Sequence, residues 1–381
     1  MSRPGHEVAD VIKRFGEDFI RMHHPNRYQL RALRALSMCR TSDLGGHKYR
    51  CDHCGHEHIS YNSCRNRHCP KCQNTKQVFW VDERLKNAYP AKHYHLVFTV
   101  PEVMNDICLC DTRWFYNHLF ATVWDTLQSF GYSHYASESG AMCILHTWGQ
   151  NLSLHPHVHC IVPAHGYTVK GNMKQIGKAG KYLYPVTRLS LKFRGRFMAG
   201  VKKHLAAEDL LSQYHDHIKK AWHNRWVVYC EPSLGKPEHV VGYLGQYTHR
   251  VAITNHRIIY IGDHEVLFSL KDYNDHGKQK ITALSGEEFL RRFCMHILPL
   301  GFVKIRHFGI YSSRFRNTIL KDKSKMVIQQ VETAIEGINR LFCVDITLCP
   351  CCRKGKLILV DAIPRSRSPT LLGLNSFGLQ G

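Results

Sequence analysis

Apolar side chains recur along the chain with two different periods, and these periods predict the order of its helices and strands. Residues 7–24 and 26–38 repeat apolar positions at helical spacing, and the second segment carries leucines on one face and arginines on the other. Further strands are predicted over residues 93–100, 142–148, 155–162, 226–230, 257–261 and 266–270, and further helices over residues 112–130, 187–222, 286–297 and 323–342. This order predicts the α+β class, with a central antiparallel sheet flanked by helices.

Basic residues dominate the charge of the chain. Lys and Arg number 52 against 30 Asp and Glu, which gives a formal net charge of +22 at pH 7. A surplus of this size predicts a polyanionic partner, and nucleic acid is the first candidate. The sequence shows no secretory signal and no apolar run near the ~20 residues of a membrane span. We therefore expect a cytoplasmic protein without a membrane partner. Because a cytoplasmic protein meets DNA only in a cell without a nuclear envelope, we expect it to be bacterial and associated with the nucleoid.

Paired cysteines predict a zinc site in the N-terminal part. Cys51 and Cys54 form one C-x2-C pair, and Cys69 and Cys72 form a second pair, fourteen residues further on. In a chain without a secretory signal, cysteines favour metal binding over disulfides. Two such pairs predict one structural Zn²⁺ with four thiolate ligands and no open coordination position.

Further cysteines and histidines leave the zinc ligand set open. Spare potential ligands lie near the two pairs, at Cys39, His47, Cys64 and His68. Cys64 and His68 are the alternates, because either a Cys3His site or a second ion would use them. A third pair, in the run Cys349-Pro350-Cys351-Cys352, has no partner pair downstream. It either binds zinc together with other residues or is inert.

Five cations accompany this predicted zinc module. Arg31 and Arg34 lie on the polar face of the second helix, and Arg65, Arg67 and Lys71 lie in or beside the segment between the cysteine pairs. A solvated charged face is one interpretation of such residues. On a small rigid module they also suit contacts to DNA phosphates, which is the role we predict for them.

Histidines alternate in the run HPHVHCIV, which begins at His155. Its β-branched residues predict a strand, and in a strand His157 and His159 point to the same face. Neutral imidazole is the commonest metal ligand, so two of them side by side form half of a metal site. His155 is a further candidate ligand on this face. Ordinary polar residues on an exposed strand are the alternative interpretation.

A Tyr-x3-Tyr segment follows further along the chain. If residues 238–250 are helical, Tyr243 and Tyr247 lie on the same face. Packing in a core is the commoner use of such a pair. The two glycines of this segment weaken the helix prediction, because each costs ~1 kcal/mol relative to alanine.

In this order, the zinc module, the His-hydrophobic-His strand and the tyrosine pair resemble a known group of enzymes. These are the HUH-type, two-tyrosine rolling-circle transposases of bacterial insertion sequences that carry an N-terminal zinc-binding domain. The likeness rests on SCRNRHCPKCQ, which ends at Gln73, on LHTWGQNLSLHPHVHCIVP at 145–163, and on YLGQYTHRVAITNHR at 243–257. It extends from about residue 10 to residue 320.

The resemblance implies a nuclease and ligase acting on single-stranded DNA at transposon ends and on target DNA. His157 and His159 would hold Mg²⁺ or Mn²⁺, with His155, Gln150 or His249 as the third ligand. Tyr243 and Tyr247 would each form a 5′-phosphotyrosine. The implied units are a helical, zinc-binding DNA-contact domain at 1–80, an HUH catalytic domain at 81–342, and a cysteine pair with a loose tail at 343–381.

Three other functions fit parts of this pattern. A plasmid or phage replication initiator would use the same chemistry on another DNA. A non-enzymatic, zinc-dependent DNA-binding regulator would bind DNA without cleaving it. A zinc hydrolase built on the HPHVH run would need a further ligand at an open zinc site, and its activity would not depend on the tyrosines.

Overall fold

A computed structural model describes residues 4–86, 92–170, 172–177, 183–234, 249–272, 275–313 and 333–366. The helices are α1 Val8–His23, α2 Arg27–Ser37, α3 Pro70–Lys86, α4 Asn105–Cys110, α5 Thr112–Tyr135, α6 Val186–Ala207, α7 His215–His223, α8 Gly286–Met295 and α9 Ala334–Phe342. The strands are β1 Gly46–Cys51, β2 Glu57–Tyr61, β3 His93–Thr99, β4 Ser137–Glu138, β5 Gly140–Trp148, β6 Leu154–Pro163, β7 His165–Thr168, β8 Met173–Gln175, β9 Val227–Leu234, β10 Ile258–Ile261, β11 Glu265–Asp272, β12 Lys278–Ser285, β13 Ile305–Gly309 and β14 Leu357–Ile363.

The central sheet is built from the apolar runs of the middle of the chain. Within the described residues its strands lie in the order β13-β5-β6-β3-β9, and each neighbouring pair is antiparallel. Helices α5 and α6 cover one face, on which Val158 and Cys160 of β6 are fully buried. The ring of Phe98 in β3 packs edge-on against Phe193 of α6, with centroids 5.2 Å apart. The predicted α+β fold, with a central antiparallel sheet flanked by helices, is confirmed.

Smaller sheets surround this centre. The described strands also pair in the orders β14-β1-β2, β10-β11-β12 and β4-β7-β8. The two strands predicted over residues 257–261 and 266–270 form a hairpin, β10 and β11. In the first of these sheets, β1 pairs with β2 on one side and with β14 on the other, both antiparallel. The C-terminal part of the chain therefore returns to the N-terminal module.

A second apolar core crosses the boundary predicted near residue 80. It joins Phe15 of α1 and Leu33 of α2 to Phe268 of β11 and Phe289 of α8. A Cβ at Gly286, the first residue of α8, would lie 2.1 Å from the Phe15 ring, so this contact of α1 with α8 requires glycine. The N-terminal helices therefore share a core with residues 252–294.

The prediction of one helix over residues 187–222 needs correction. These residues form two helices, α6 and α7, because the chain turns after Ala207 and Asp209 adopts a positive φ of 57°. The helix predicted over 323–342 lies within the described residues only in its last part, where α9 forms. The unit predicted at 343–381 contains a strand, β14. No helix in the described part of the chain combines the length and the apolar content that crossing a membrane requires.

Candidate active site and metal-binding clusters

Three histidines meet on the face of the central sheet opposite α5 and α6. In the register of the β5–β6 hairpin, His146 pairs directly with His157. His159 lies two residues further along β6 and points to the same face. One ligand nitrogen of each histidine lies within 4.8 Å of the other two. These three residues, called the histidine cluster below, offer three nitrogens to one divalent ion.

Hydrogen bonds decide which nitrogen carries the proton in two of these rings. His157 Nδ1 lies 2.7 Å from the backbone carbonyl oxygen of His155, so Nδ1 donates and Nε2 keeps its lone pair. Glu231 accepts from Nδ1 of His95 at 3.2 Å, and His95 Nε2 lies 2.9 Å from Nδ1 of His159. Because neutral His95 then offers Nε2 only as an acceptor, Nδ1 of His159 donates to it. Nε2 is therefore the unprotonated nitrogen of both His157 and His159, and outer partners of this kind typically orient metal-binding histidines.

Burial keeps the imidazoles of His157 and His159 neutral at physiological pH. It lowers the pKa of His157 to about 3, and it holds the pKa of His159 well below its usual value. Positive charges on Arg250 and Lys304 lower the pKa of His159 further. Neutral imidazole is the form that binds a metal ion. Burial lowers the pKa of Lys304 to about 7, so Arg250 is the side chain that keeps its full positive charge here and attracts a phosphate group.

The third member of the histidine cluster is His146, which is not among the predicted candidates. The described residues His155 and His249 are not part of the cluster. His155 contributes its backbone carbonyl rather than its ring, and His249 Nδ1 lies 3.0 Å from Oε1 of Gln73. The sequence predicts strands over 142–148 and 155–162. Pairing these two strands as a hairpin places His146 beside His157.

The predicted nucleophiles, Tyr243 and Tyr247, lie in residues 235–248, outside the described residues. The described segments on both sides of this gap interact with the histidine cluster or with its hydrogen-bond partner. Glu231, in β9 before the gap, hydrogen-bonds His95, and the charge of Arg250, just after the gap, lowers the pKa of His159. A residue on each side of the gap therefore interacts either with the cluster or with its partner His95.

Four cysteines gather near the N-terminal helices, at Cys39, Cys64, Cys69 and Cys72. The Cys39 Sγ lies 3.6 Å from those of Cys69 and Cys72, and the Cys64 and Cys72 sulfurs are 3.7 Å apart. These separations exclude disulfides. They fit a tetrahedral zinc ion, whose bonds of ~2.3 Å place its sulfurs about 3.8 Å apart. Of the two residues predicted as alternate zinc ligands, Cys64 belongs to this cluster and His68 does not.

The predicted sharing of one ion by both cysteine pairs is wrong. Cys51 and Cys54 lie with Cys349 and Cys352, not with the second pair. The physical reason is that Cys51 ends β1, which pairs with β14 near the C-terminus, while the second pair lies at the start of α3. Spacing along the chain shows which cysteines form a pair, but not which two pairs meet in space.

A basic groove of about 1380 Å³ lies beside the N-terminal module. Its lining includes five exposed arginines: Arg31, Arg34, Arg40, Arg65 and Arg365. None of the described residues that line it is Asp or Glu. Tyr61, whose side chain is 38% exposed, lies on the same surface. Three of the five cations predicted to contact DNA therefore lie together in one groove.

The other two predicted DNA contacts have partners within the protein. Arg67 donates hydrogen bonds to the backbone carbonyls of Pro299, at 2.8 Å, and of Phe302. Lys71 forms an ion pair with Glu7 at 2.7 Å, and both side chains are largely shielded from solvent. These contacts hold the module against α1 and against the segment after α8. We therefore remove Arg67 and Lys71 from the predicted DNA surface.

Comparison with known families assigns both regions to transposases. A family described as "Transposase zinc-binding domain" matches residues 11–100, and a family described as "Putative transposase" matches residues 140–318. The first match contains the cluster of Cys39, Cys64, Cys69 and Cys72. The second contains the histidine cluster and both predicted tyrosines.

Two curated proteins extend this similarity. "Putative transposase y4qJ" of Sinorhizobium fredii is 36% identical over 387 residues, which cover 95% of this chain and 96% of the relative. "Transposase for insertion sequence element IS801" of Pseudomonas savastanoi pv. phaseolicola is 27% identical over 293 residues, 72% of this chain and 68% of the relative. No solved structure matches the chain significantly.

Proposed function

The chain belongs to the IS91-type family of insertion-sequence transposases, and from this premise we propose that it nicks and rejoins single-stranded DNA at transposon ends through 5′-phosphotyrosine intermediates. The observation that carries the proposal is the histidine cluster. Three imidazoles converge on one point of the central sheet, and hydrogen bonds fix which nitrogen is protonated in His157 and His159.

In the proposed reaction Tyr243 or Tyr247 attacks the scissile phosphorus. A bond forms between the phenolic oxygen and phosphorus, the bond from phosphorus to the 3′ oxygen breaks, and the phenolic proton leaves the tyrosine as the 3′-OH gains one. The covalent link keeps the energy of the phosphodiester, so a 3′-OH can attack it later and rejoin the strand without ATP. Arg250 contributes positive potential where the phosphate charge increases.

A divalent ion would be held by His146, His157 and His159. When bound, it polarises the phosphoryl oxygen and stabilises the charge that develops in the transition state. Of the two ions that the resemblance implies, Mn²⁺ suits three nitrogen ligands better, because Mg²⁺ prefers oxygen. The chain's own contribution is to hold the rings in place through β5, β6 and the His95–Glu231 pair.

The proposal predicts a covalent protein–DNA adduct that needs a metal ion. Purified protein is mixed with a single-stranded oligonucleotide that carries the element's end and is labelled at either its 5′ or its 3′ terminus. With Mn²⁺ we expect an adduct that survives SDS and carries only the label 3′ to the nick; a chelator removes it. Binding without any adduct across several candidate ends would contradict the proposal and favour a zinc-dependent DNA-binding regulator.

We further propose that the basic groove binds the phosphates of this single strand. Five guanidinium groups without a carboxylate among the described lining residues form a polyanion site. The exposed ring of Tyr61 adds a surface on which a base can stack, as is typical of single-strand binding sites. The groove is formed mainly by α2, by β2 and the segment after it, and by the residues after β14.

Replacing Arg31, Arg34 and Arg65 together by alanine is expected to weaken single-strand binding roughly a thousandfold at low salt, if each lost contact costs about 1.5 kcal/mol. The slope of log K against log salt should fall by about 2, because each phosphate contact to a single strand contributes about 0.7. Fluorescence anisotropy over a salt series measures both quantities. A triple alanine variant of Arg21, Arg188 and Arg225, exposed arginines that do not line the groove, carries the same charge change as a control. Equal losses in both variants would contradict the assignment of the groove.

A further inference from the structure

The cysteine pair near the C-terminus lies against the first pair of the N-terminal module. We propose that Cys51, Cys54, Cys349 and Cys352 bind a second zinc ion. This ion would join the N-terminal module to the segment that leads into β14, and it would complete the basic groove. Cys54 and Cys349 are 295 residues apart in sequence. The zinc-binding family match ends at residue 100, so it contains only half of this ligand set.

The sulfur positions fit a tetrahedral ion. The Sγ of Cys51 lies 3.7 Å from that of Cys352, and the Sγ of Cys54 lies 3.7 Å from that of Cys349. All four sulfurs lie within 4.8 Å of one another. Zinc–thiolate bonds of ~2.3 Å predict separations of about 3.8 Å, whereas a disulfide would bring two sulfurs to about 2 Å.

Backbone amides stabilise the negative charge that four thiolates would carry. The amides of His53 and Cys54 lie 3.4 and 3.5 Å from the Cys51 Sγ, and the Gly355 amide lies 3.4 Å from the Cys352 Sγ. The two loops thus turn their N–H groups toward their own sulfurs. A Cβ at Gly355 would lie 2.6 Å from the Cys51 Sγ, so a larger residue would separate the loops.

The contact between the two cysteine-bearing segments extends beyond the cysteines, because the strands next to them pair. Asp52 and Lys356 are joined by two hydrogen bonds: the Lys356 amide donates to the Asp52 carboxylate at 2.8 Å, and the Asp52 amide donates to the Lys356 carbonyl at 3.1 Å. From there β14 pairs with β1 along its whole length. At the far end Gly45, with φ of +69°, approaches the Ile363 carbonyl so closely that a Cβ would lie 2.5 Å from it.

This pairing carries the C-terminal segment into the basic groove. Arg365 and Ser366 line the groove two residues after β14 ends, and the Ser366 amide donates to the Asp43 carbonyl at 3.2 Å. One of the five groove arginines, Arg365, is therefore supplied by the segment that follows β14. The zinc site holds this segment in place, so the complete groove forms only after the C-terminal cysteines have been synthesised.

The metal content of the full-length protein tests the zinc site directly. Relative to wild type, the Cys349→Ser, Cys352→Ser double variant should lose one zinc per chain by mass spectrometry of the metals. The matched control is Cys351→Ser, because Cys351 is exposed, lies between the two ligands and is outside the cluster. An unchanged zinc content in the double variant would overturn the proposal, and so would the loss of all cysteine-bound zinc, which would mean that the clusters are not independent sites.

Alkylation of the wild-type protein tests the same site without a mutation. Cys54 and Cys351 are both exposed. If zinc binds Cys54, a thiol reagent should label Cys351 rapidly and Cys54 only after a chelator is added. Equal labelling of the two before chelation would exclude the site even if the serine variants failed to fold.

The role in completing the groove rests on the proposed DNA-binding function and has its own measurement. Arg365→Ala should weaken binding of the single strand about tenfold and reduce the salt slope by about 0.7, without changing the zinc content. The Cys349→Ser, Cys352→Ser variant should show at least the same loss. Zinc loss with unchanged DNA binding would overturn the role in the groove and leave the zinc site established, whatever the outcome of the adduct assay.

Discussion

Replacing His146 by alanine is expected to reduce metal-dependent adduct formation by about a thousandfold or more. The variant leaves only two of the three imidazoles in the histidine cluster. A bound ion typically contributes several kcal/mol to transition-state stabilisation in this chemistry, and about 4 kcal/mol corresponds to a thousandfold change in rate. Adduct formation under single-turnover conditions measures the rate, and calorimetric titration with Mn²⁺ measures the loss of metal affinity.

Two neighbouring variants make this prediction specific. His155→Ala removes a ring outside the cluster but keeps the carbonyl that orients His157, so near wild-type activity is expected. His95→Gln disturbs the partner that orients His159, so metal affinity should fall 10- to 100-fold and activity should return at high Mn²⁺ concentration. If His155→Ala were as damaging as His146→Ala, the third ligand would be His155 and the cluster would be wrongly assigned.

Sequence reasoning located the local features of the histidine cluster but not its third member. The alternation in β6 was sufficient to place His157 and His159 on one face, because that geometry belongs to a single strand. His146 belongs to the cluster only because the register of β5 on β6 places it opposite His157. Register depends on the turn and on which faces are buried, and neither is fixed by the histidine pattern. The same limit applies to His95, which reaches His159 from a third strand.

The cysteines show the larger limit, which is long-range contact. The sequence shows each C-x2-C pair as a pair, but contacts between distant segments decide which cysteines form a cluster. Cys51 meets Cys352 because β14 returns to β1, and nothing in the spacing of either pair encodes that return. Similarly, the shared core of α1 with α8 was not predictable from the helical period, which gives the apolar face of α1 but not the element that covers it.

The double variant Tyr243→Phe, Tyr247→Phe is expected to form no covalent adduct while it binds single-stranded DNA and Mn²⁺ as wild type does. Phenylalanine keeps the ring and removes the only atom that can attack phosphorus, so the chemical step is lost without loss of the metal ligands. The two flanking residues that act on the histidine cluster, Glu231 and Arg250, are unchanged in this variant. Denaturing gels with the labelled oligonucleotide measure the adduct, and anisotropy measures binding.

The single tyrosine variants and a matched control complete the test. Tyr260→Phe changes a half-exposed tyrosine in β10 and should leave adduct formation unchanged. If the two tyrosines act in succession, each single variant should still make one adduct but fail to complete strand transfer between a donor end and a target strand. If they are interchangeable, each should support the whole reaction at a reduced rate. Cleavage that persists in the double variant without an adduct would identify an activated water as the nucleophile and remove both tyrosines from the mechanism.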